Sequence, residues 1–292
     1  MQVIAKIAEL RERVSAMRAG GSSIGFVPTM GALHAGHASL LKRARNENDF
    51  VVASIFVNPL QFDRKADLET YPRTMAADLE TCAACGTDLM FAPDVTDLYP
   101  AEQLTFVEVP ALSESLCGAS RPGHFRGVAT VVLKLFNIVE ADRAYFGEKD
   151  AQQLAVIRRM VQDLNVPVEV VPVATVREAD GLAMSSRNKH LTATQRKDAP
   201  VLARAMRAAL ALFASGEKSV AEVTARALPM FSELPECRLE YFEVVDPATL
   251  RPVERADNCV LVIGAMWMGT TRLIDNMFWP NSAAHTSSAS QE

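Results

Sequence analysis

The chain has 292 residues, 49% of them hydrophobic, with a formal net charge of -5 and five cysteines. That length suits one large α/β domain plus a smaller one, each with a full core. The acidic balance without a Lys/Arg cluster argues against a nucleic-acid surface, and the lack of any run of about 18 apolar residues argues against a membrane span.

In chain order, the apolar spacing predicts helix 3–18, strand 23–27, helix 36–47, strand 50–56, helix 74–85 and strand 88–91. Helix 127–141, strand 143–146, helix 150–163 and strand 168–173 follow. Continuous apolar strands such as Val51-Val52-Ala53-Ser54-Ile55-Phe56 belong in a parallel sheet covered on both faces. Residues 1–176 are therefore expected to form a Rossmann-like, doubly wound α/β domain. Ligands of such sheets bind beyond the carboxyl ends of the strands, and His34, Asn58, Gly147 and Lys149 all follow predicted strands.

After residue 176 the pattern changes to helices 193–214 and 220–231, then β-like runs 239–245, 259–265 and 271–277. This reads as a smaller α+β domain over 177–280. Residues 281–292, rich in Ser and Ala without periodicity, are expected to be disordered. The amphipathic start does not read as an export signal, and an odd number of irregularly spaced cysteines suits a reducing cytoplasm. Cys82 and Cys85 form a Cys-x-x-Cys pair, but inside a helix with no second pair or nearby histidine, which speaks against a zinc or redox role.

The stretch Pro28-Thr29-Met30-Gly31-Ala32-Leu33-His34-Ala35-Gly36-His37 joins a predicted strand to a predicted helix. A helix start offers unpaired N–H groups and a positive dipole end, so a nucleotide phosphate fits there. His34 and His37 add side-chain donors, and Gly36 lets the chain pass close to a ligand. A lone histidine here would read as a plain helix cap, but the pair in this turn points to a ligand instead. Lys149, in Gly147-Glu148-Lys149-Asp150 just before a predicted helix, is a cation where the dipole disfavours one, which points to an anionic partner.

His34-Ala35-Gly36-His37 resembles the His-x-Gly-His signature of the class I aminoacyl-tRNA synthetase and nucleotidyltransferase superfamily. Met184-Ser185-Ser186-Arg187 resembles its second, Lys-Met-Ser-Lys-Ser-like loop. With Phe56-Val57-Asn58-Pro59-Leu60-Gln61-Phe62, Tyr71-Pro72-Arg73-Thr74, the run 121–128 and Phe146-Gly147-Glu148-Lys149-Asp150, the chain is similar to the pantothenate synthetase family from about residue 4 to 280.

The resemblance implies ATP-dependent joining of (R)-pantoate to β-alanine through a pantoyl adenylate, with release of pyrophosphate and then AMP. It implies a homodimer, with 1–176 binding ATP and pantoate and 177–280 acting as a lid. Met30, Gly31, Ala32, Leu33, His34, Ala35, Gly36 and His37 would form the ATP turn, with His34, His37 and Lys149 catalytic and the family's proton-donor role on His37. Gly147, Glu148, Asp150 and Val176 would lie along the nucleotide, and Met184, Ser185, Ser186 and Arg187 would close over its phosphates. Gln61 and Gln153 would read pantoate, supported by Asn58, with Gln61 also beside β-alanine. Arg121, His124 and Arg126 suit either a lid or a β-alanine carboxylate site. Mg2+ is implied by ATP. Asp78 is the one carboxylate nominated to hold it, since Met75-Ala76-Ala77 replaces the acidic run of many relatives; a solvent-facing helix position is the alternative.

Two rivals remain at this stage. An adenylyltransferase acting on a phosphorylated acceptor would need extra Arg or Lys where the chain offers Gln61 and Gln153. A regulatory ATP-binding module on the same fold would need neither His37 nor Lys149 as a chemical group.

Overall fold

Six strands form one sheet: β1 (Gln2–Ile4), β2 (Ile24–Thr29), β3 (Phe50–Ile55), β4 (Leu89–Phe91), β5 (Arg143–Gly147) and β6 (Glu169–Val173). Their order is β1-β4-β3-β2-β5-β6, and every neighbouring pair is parallel. The computed structural model describes residues 1–63 and 65–280. It separates into two units, Met1–Val176 and a second from Arg177 onward. The tail 281–292, expected to be disordered, lies outside the described residues.

Alternation along the strands explains how helices cover both faces. Val27, Val51, Ala53, Ile55, Met90, Tyr145, Val171 and Val173 point to one side, where they pack with Leu40, Leu41 and Ala44 of the helix Ala35–Glu47 and Cys82 of the helix Met75–Ala84. The other side is covered by the helices Ile7–Ala19, His124–Val139 and Ala151–Asp163. Burial on both faces is why these strands read as continuous apolar runs.

The chain steps from β2 through β3 to β4 on one side of β2, then returns to β5 on the other. Pairing between β2 and β5 covers only Gly25 with Arg143 and Phe26 with Ala144, although β2 continues to Thr29 and β5 to Gly147. The two strands therefore part toward their carboxyl ends. A ligand crevice is expected at this switch of strand order, and the segments after Thr29 and Gly147 border it.

The second unit contains the antiparallel sheet β7 (Cys237–Val245), β8 (Val260–Met268), β9 (Thr271–Trp279), in that order. The helices Val201–Ala214 and Val220–Ala227 contribute Leu202, Met206, Phe213 and Val223 to a core shared with Val262 and Met266. No helix among the described residues is long and apolar enough to cross a membrane.

Three predicted elements need correction. Residues 2–4 are an edge strand rather than the start of a helix, because β-branched Val3 and Ile4 pair with Met90 and Phe91. Helix 193–214 is two helices, Ala193–Asp198 and Val201–Ala214, broken around Pro200. Helix 220–231 likewise divides into Val220–Ala227 and Pro229–Ser232; a proline removes the N–H that an uninterrupted helix would use.

Candidate active site

The turn after β2 is held from beneath. Gly31 and Ala32 take left-handed conformations, φ 82° and 52°, which turns successive N–H groups inward. Asp78, at the start of the helix Met75–Ala84, receives them: Oδ2 accepts from Ala32 N–H at 3.0 Å and Oδ1 from Leu33 N–H at 2.8 Å. The Thr74 hydroxyl lies 3.2 Å from both oxygens, and Thr29 Oγ accepts the Gly31 N–H at 3.2 Å. Asp78 is only 2% exposed, so it is not a solvent-facing helix residue.

The arrangement does not fit a metal ligand either. Both carboxylate oxygens already accept hydrogen bonds, and no group of three or more His, Cys, Asp or Glu that could hold a metal exists among the described residues.

Above this anchor the helix Ala35–Glu47 starts with His34 at its N-cap. His34 Nδ1 accepts the Gly36 N–H at 3.1 Å, while His37 Nδ1 accepts the His34 N–H at 3.3 Å, a reciprocal capping box built from imidazoles. Gly36 is required because a Cβ there would stand 2.8 Å from His34 Cε1. A nitrogen that accepts carries no proton, so in the neutral form both rings bear theirs on Nε2. Burial, aided by the charges of His34 and Lys149 and opposed by Asp150, pushes the His37 imidazole down to about 3. His37 is therefore a neutral Nε2–H donor at physiological pH rather than a protonated acid. Its ring centroid lies 4.1 Å from that of His34.

The plain-cap reading and the ligand reading thus use different atoms of the same rings. The expectation that backbone N–H groups of the turn receive an anion is narrowed to fewer of them. Those of Gly31, Ala32, Leu33, His34 and Gly36 are engaged within the protein. What the turn offers a ligand includes the Nε2–H of His37.

Beyond β5, Gly147 leads into a 3-10 turn, Glu148–Asp150, before the helix Ala151–Asp163. A Cβ at Gly147 would meet nothing within 4 Å, so the backbone borders open space. Lys149 is largely buried, with Nζ 3.7 Å from Asp150 Oδ1. That both charges are felt at His37 places this turn beside the histidines. Burial raises the Glu148 carboxyl, with Arg158 opposing. Gln153 is partly exposed on the following helix. Its neighbour Gln152 is buried and pins residues 112–117, accepting from Cys117 N–H at 3.0 Å and donating to the carbonyls of Leu112 at 2.9 Å and Ser115 at 2.8 Å.

The segment after β3 brings Asn58 and Gln61 against the helix His124–Val139. Asn58 Nδ2 donates to Gln61 Oε1 at 3.0 Å and to the Gly127 carbonyl at 3.1 Å, and its Oδ1 accepts from the Tyr99 hydroxyl at 2.9 Å. Gly127 permits this approach, since a Cβ there would stand 2.3 Å from the Leu60 carbonyl oxygen. His124 Nδ1 lies 2.8 Å from the Gln61 carbonyl, and Arg121 Nη2 reaches the same oxygen at 3.4 Å. Arg126 sits apart, 3.5 Å from Glu108 and stacked over Phe106.

The first unit thus gathers residues 30–37, Asn58, Gln61 and 147–150, with Val176 at its end. Met184, Ser185, Ser186 and Arg187 belong to the second unit, where Ser185 Oγ accepts the Arg187 N–H at 3.2 Å and caps the 3-10 turn Ser186–His190. Tyr99 and Gln152 had no motif to mark them, while Thr29, Thr74 and Gly127 stood inside motifs with no role assigned to them. All five cysteines are free thiols, and burial pushes Cys82 up to about 12, far from a reactive thiolate.

The pantoate-beta-alanine ligase family model matches residues 2–278. A pantothenate synthetase of Moorella thermoacetica is 52% identical over 277 residues, 95% of this chain and 98% of its own. One from Sinorhizobium medicae is 53% identical over 285 residues, 97% and 98% of the two chains. The crystal structure of pantothenate synthetase from Thermus thermophilus superimposes with a TM-score of 0.90 at 48% identity, covering 95% of this chain and 99% of that one. A pantoate-beta-alanine ligase structure from Francisella tularensis, complexed with beta-gamma ATP and beta-alanine, gives 0.77 at 34% identity over 95% and 97% of the chains.

Proposed function

The chain belongs to the pantoate-beta-alanine ligase family, and on that premise we propose how its residues join pantoate to β-alanine with ATP. A pantoate carboxylate oxygen attacks the α-phosphorus of ATP and pyrophosphate leaves. The β-alanine amine then attacks the acyl carbon of the adenylate; AMP leaves with the bonding electrons and the amine gives up a proton.

The observation that carries the reading is the imidazole capping box. It spends Nδ1 of each ring on the helix, and the Nε2–H left on His37 is assigned to phosphate oxygens. A rigid neutral donor such as the His37 imidazole stabilises charge that grows on those oxygens in the transition state, without reorganising when it appears. Lys149 adds a point charge from the β5 side, drawing negative charge toward the β2/β5 crevice. His37 acts as a hydrogen-bond donor rather than a proton donor, because its imidazole starts neutral.

Gln61, with Gln153, holds pantoate by its amide, and Asn58 supports Gln61 from behind. Gly147, Glu148, Asp150 and Val176 line the nucleotide, and the hydroxyl and guanidinium groups of Ser185, Ser186 and Arg187, beside Met184, are chemically suited to phosphate. Magnesium enters with the phosphates as part of the nucleotide substrate, since the residues around Asp78 do not make a metal site. The family membership also supports a cytoplasmic homodimer, which sedimentation of the purified chain would check.

The direct test is exchange of labelled pyrophosphate into ATP. Pantoate alone should support it and β-alanine alone should not, with AMP formation requiring both. Normal AMP formation without pantoate-dependent exchange would remove the separate adenylate step.

A further inference from the structure

Asn58 is the most heavily committed amide in the first unit, and its orientation is fixed by groups that cannot change role. On one side the Leu60 backbone N–H lies 3.3 Å from Oδ1; on the other the Gly127 backbone carbonyl lies 3.1 Å from Nδ2. Turning the amide over would set oxygen against carbonyl and NH2 against N–H. The second Nδ2 hydrogen therefore points to Gln61, which must offer its oxygen, Oε1, at 3.0 Å. This forces the Gln61 NH2 to the opposite side, where it donates to no group among the described residues. Gln61 is only 7% exposed, so few rotations are open to it.

The remaining lone pair of Asn58 Oδ1 is taken by the Tyr99 hydroxyl at 2.9 Å. Burial pushes that hydroxyl's pKa upward, so it stays protonated and donates. All four hydrogen-bonding positions of the Asn58 amide are then filled, which leaves none for a substrate. Tyr99 follows the short helix Val95–Leu98, beyond β4. Its ring is held independently, 6.0 Å from Phe56 and beneath Lys134 Nζ at 4.8 Å.

We infer that Tyr99 is a positioning residue that completes the hold of the Leu60 N–H and the Gly127 carbonyl on Asn58, so that the Gln61 amide keeps its Nε2–H toward pantoate and its Oε1 away from it. The inference rests on the proposed role of Gln61 and adds a residue and a direction to it. A donor facing the pocket selects a carboxylate or hydroxyl oxygen of pantoate and offers nothing to the ammonium of β-alanine.

The test is a double-mutant cycle on the full chain with Tyr99→Phe, Gln61→Ala and the pair, read as KM for pantoate, KM for ATP and kcat. Tyr99→Phe keeps the ring and its packing and removes one hydrogen bond, so KM for pantoate should rise about five- to tenfold while KM for ATP stays within about twofold. In the Gln61→Ala background the same substitution should add less than about twofold, since the group it orients is gone. An equal multiplicative effect in both backgrounds would overturn the inference, showing that Tyr99 acts through the fold. No effect of Tyr99→Phe, with Gln61→Ala still raising KM for pantoate, would also overturn it and leave the proposed function intact. Were Gln61→Ala itself without effect on that KM, the assignment of Gln61 to pantoate would fail and this inference with it, whereas pantoate-dependent exchange would still report the reaction.

Discussion

Replacing His37 by Gln and by Ala separates the two ends of its ring. At the third helical position a glutamine can reach back to the His34 N–H as the Nδ1 atom does now, at 3.3 Å, so His37→Gln should keep stability within about 0.5 kcal/mol at neutral pH. His37→Ala leaves that N–H without its acceptor and should lose about 1 kcal/mol. Neither variant offers the Nε2–H where the imidazole holds it, so both should form adenylate about 10²–10³-fold more slowly in single-turnover measurements. The pH dependence is a second handle. The imidazole titrates at 6.5 ordinarily and at about 3 in the folded chain, so between these values the unfolded state binds the extra proton. Stability must then fall as pH drops below 6.5, by about 1.4 kcal/mol per unit, or roughly 2 kcal/mol by pH 5. For a unit of this size that is about 4–8 °C in melting temperature, a loss the His37→Gln variant should not suffer. Normal adenylate formation by a stable His37→Gln variant would refute the reasoning, as would an identical acid-side decline in wild type and variant.

Gly127→Ala places a methyl group 2.3 Å from the Leu60 carbonyl oxygen, backbone against backbone, and should cost about 1–3 kcal/mol in urea unfolding while raising KM for pantoate. Asp78→Asn trades an acceptor for an NH2 facing the N–H of Ala32 or Leu33 and should cost about 1–3 kcal/mol with a raised KM for ATP. Added magnesium should not restore that variant's activity; full rescue by the metal would revive Asp78 as its ligand.

The parallel sheet was legible because burial on both faces leaves an unbroken apolar run, as in residues 51–56, and because the period changes from strand to helix at Ala35. The turn after β2 stood out because two histidines and a glycine fall together in four residues. Chemistry drawn from distant segments was not. Asp78 stands 46 residues from Ala32 and looks like any helix carboxylate until the fold brings it under the turn. Tyr99, 41 residues from Asn58, has no motif around it at all. The edge strand 2–4 escaped because three residues are too few for a period to declare itself, so its pairing with β4 decides its form.

Capping and catalysis first presented themselves as alternatives, and the geometry makes one the condition of the other. A free imidazole exchanges its proton between two nitrogens and turns about two bonds. Here each Nδ1 is held by a backbone N–H, so the tautomer and the ring direction are set before any nucleotide arrives. The turn that carries those N–H groups is itself fixed by a carboxylate that stays out of solvent. The order of support therefore runs from Asp78 to the backbone, from the backbone to Nδ1, and from there to the donor at Nε2. On the proposed reading, a neutral His37 donor on such a rigid base attracts the ground-state phosphates less than a cation would and responds most where charge increases during the reaction. On the same reading, a chain of net charge -5 favours the transition state without a broad basic surface, with Lys149 as the proposed source of concentrated positive charge at the β2/β5 crevice.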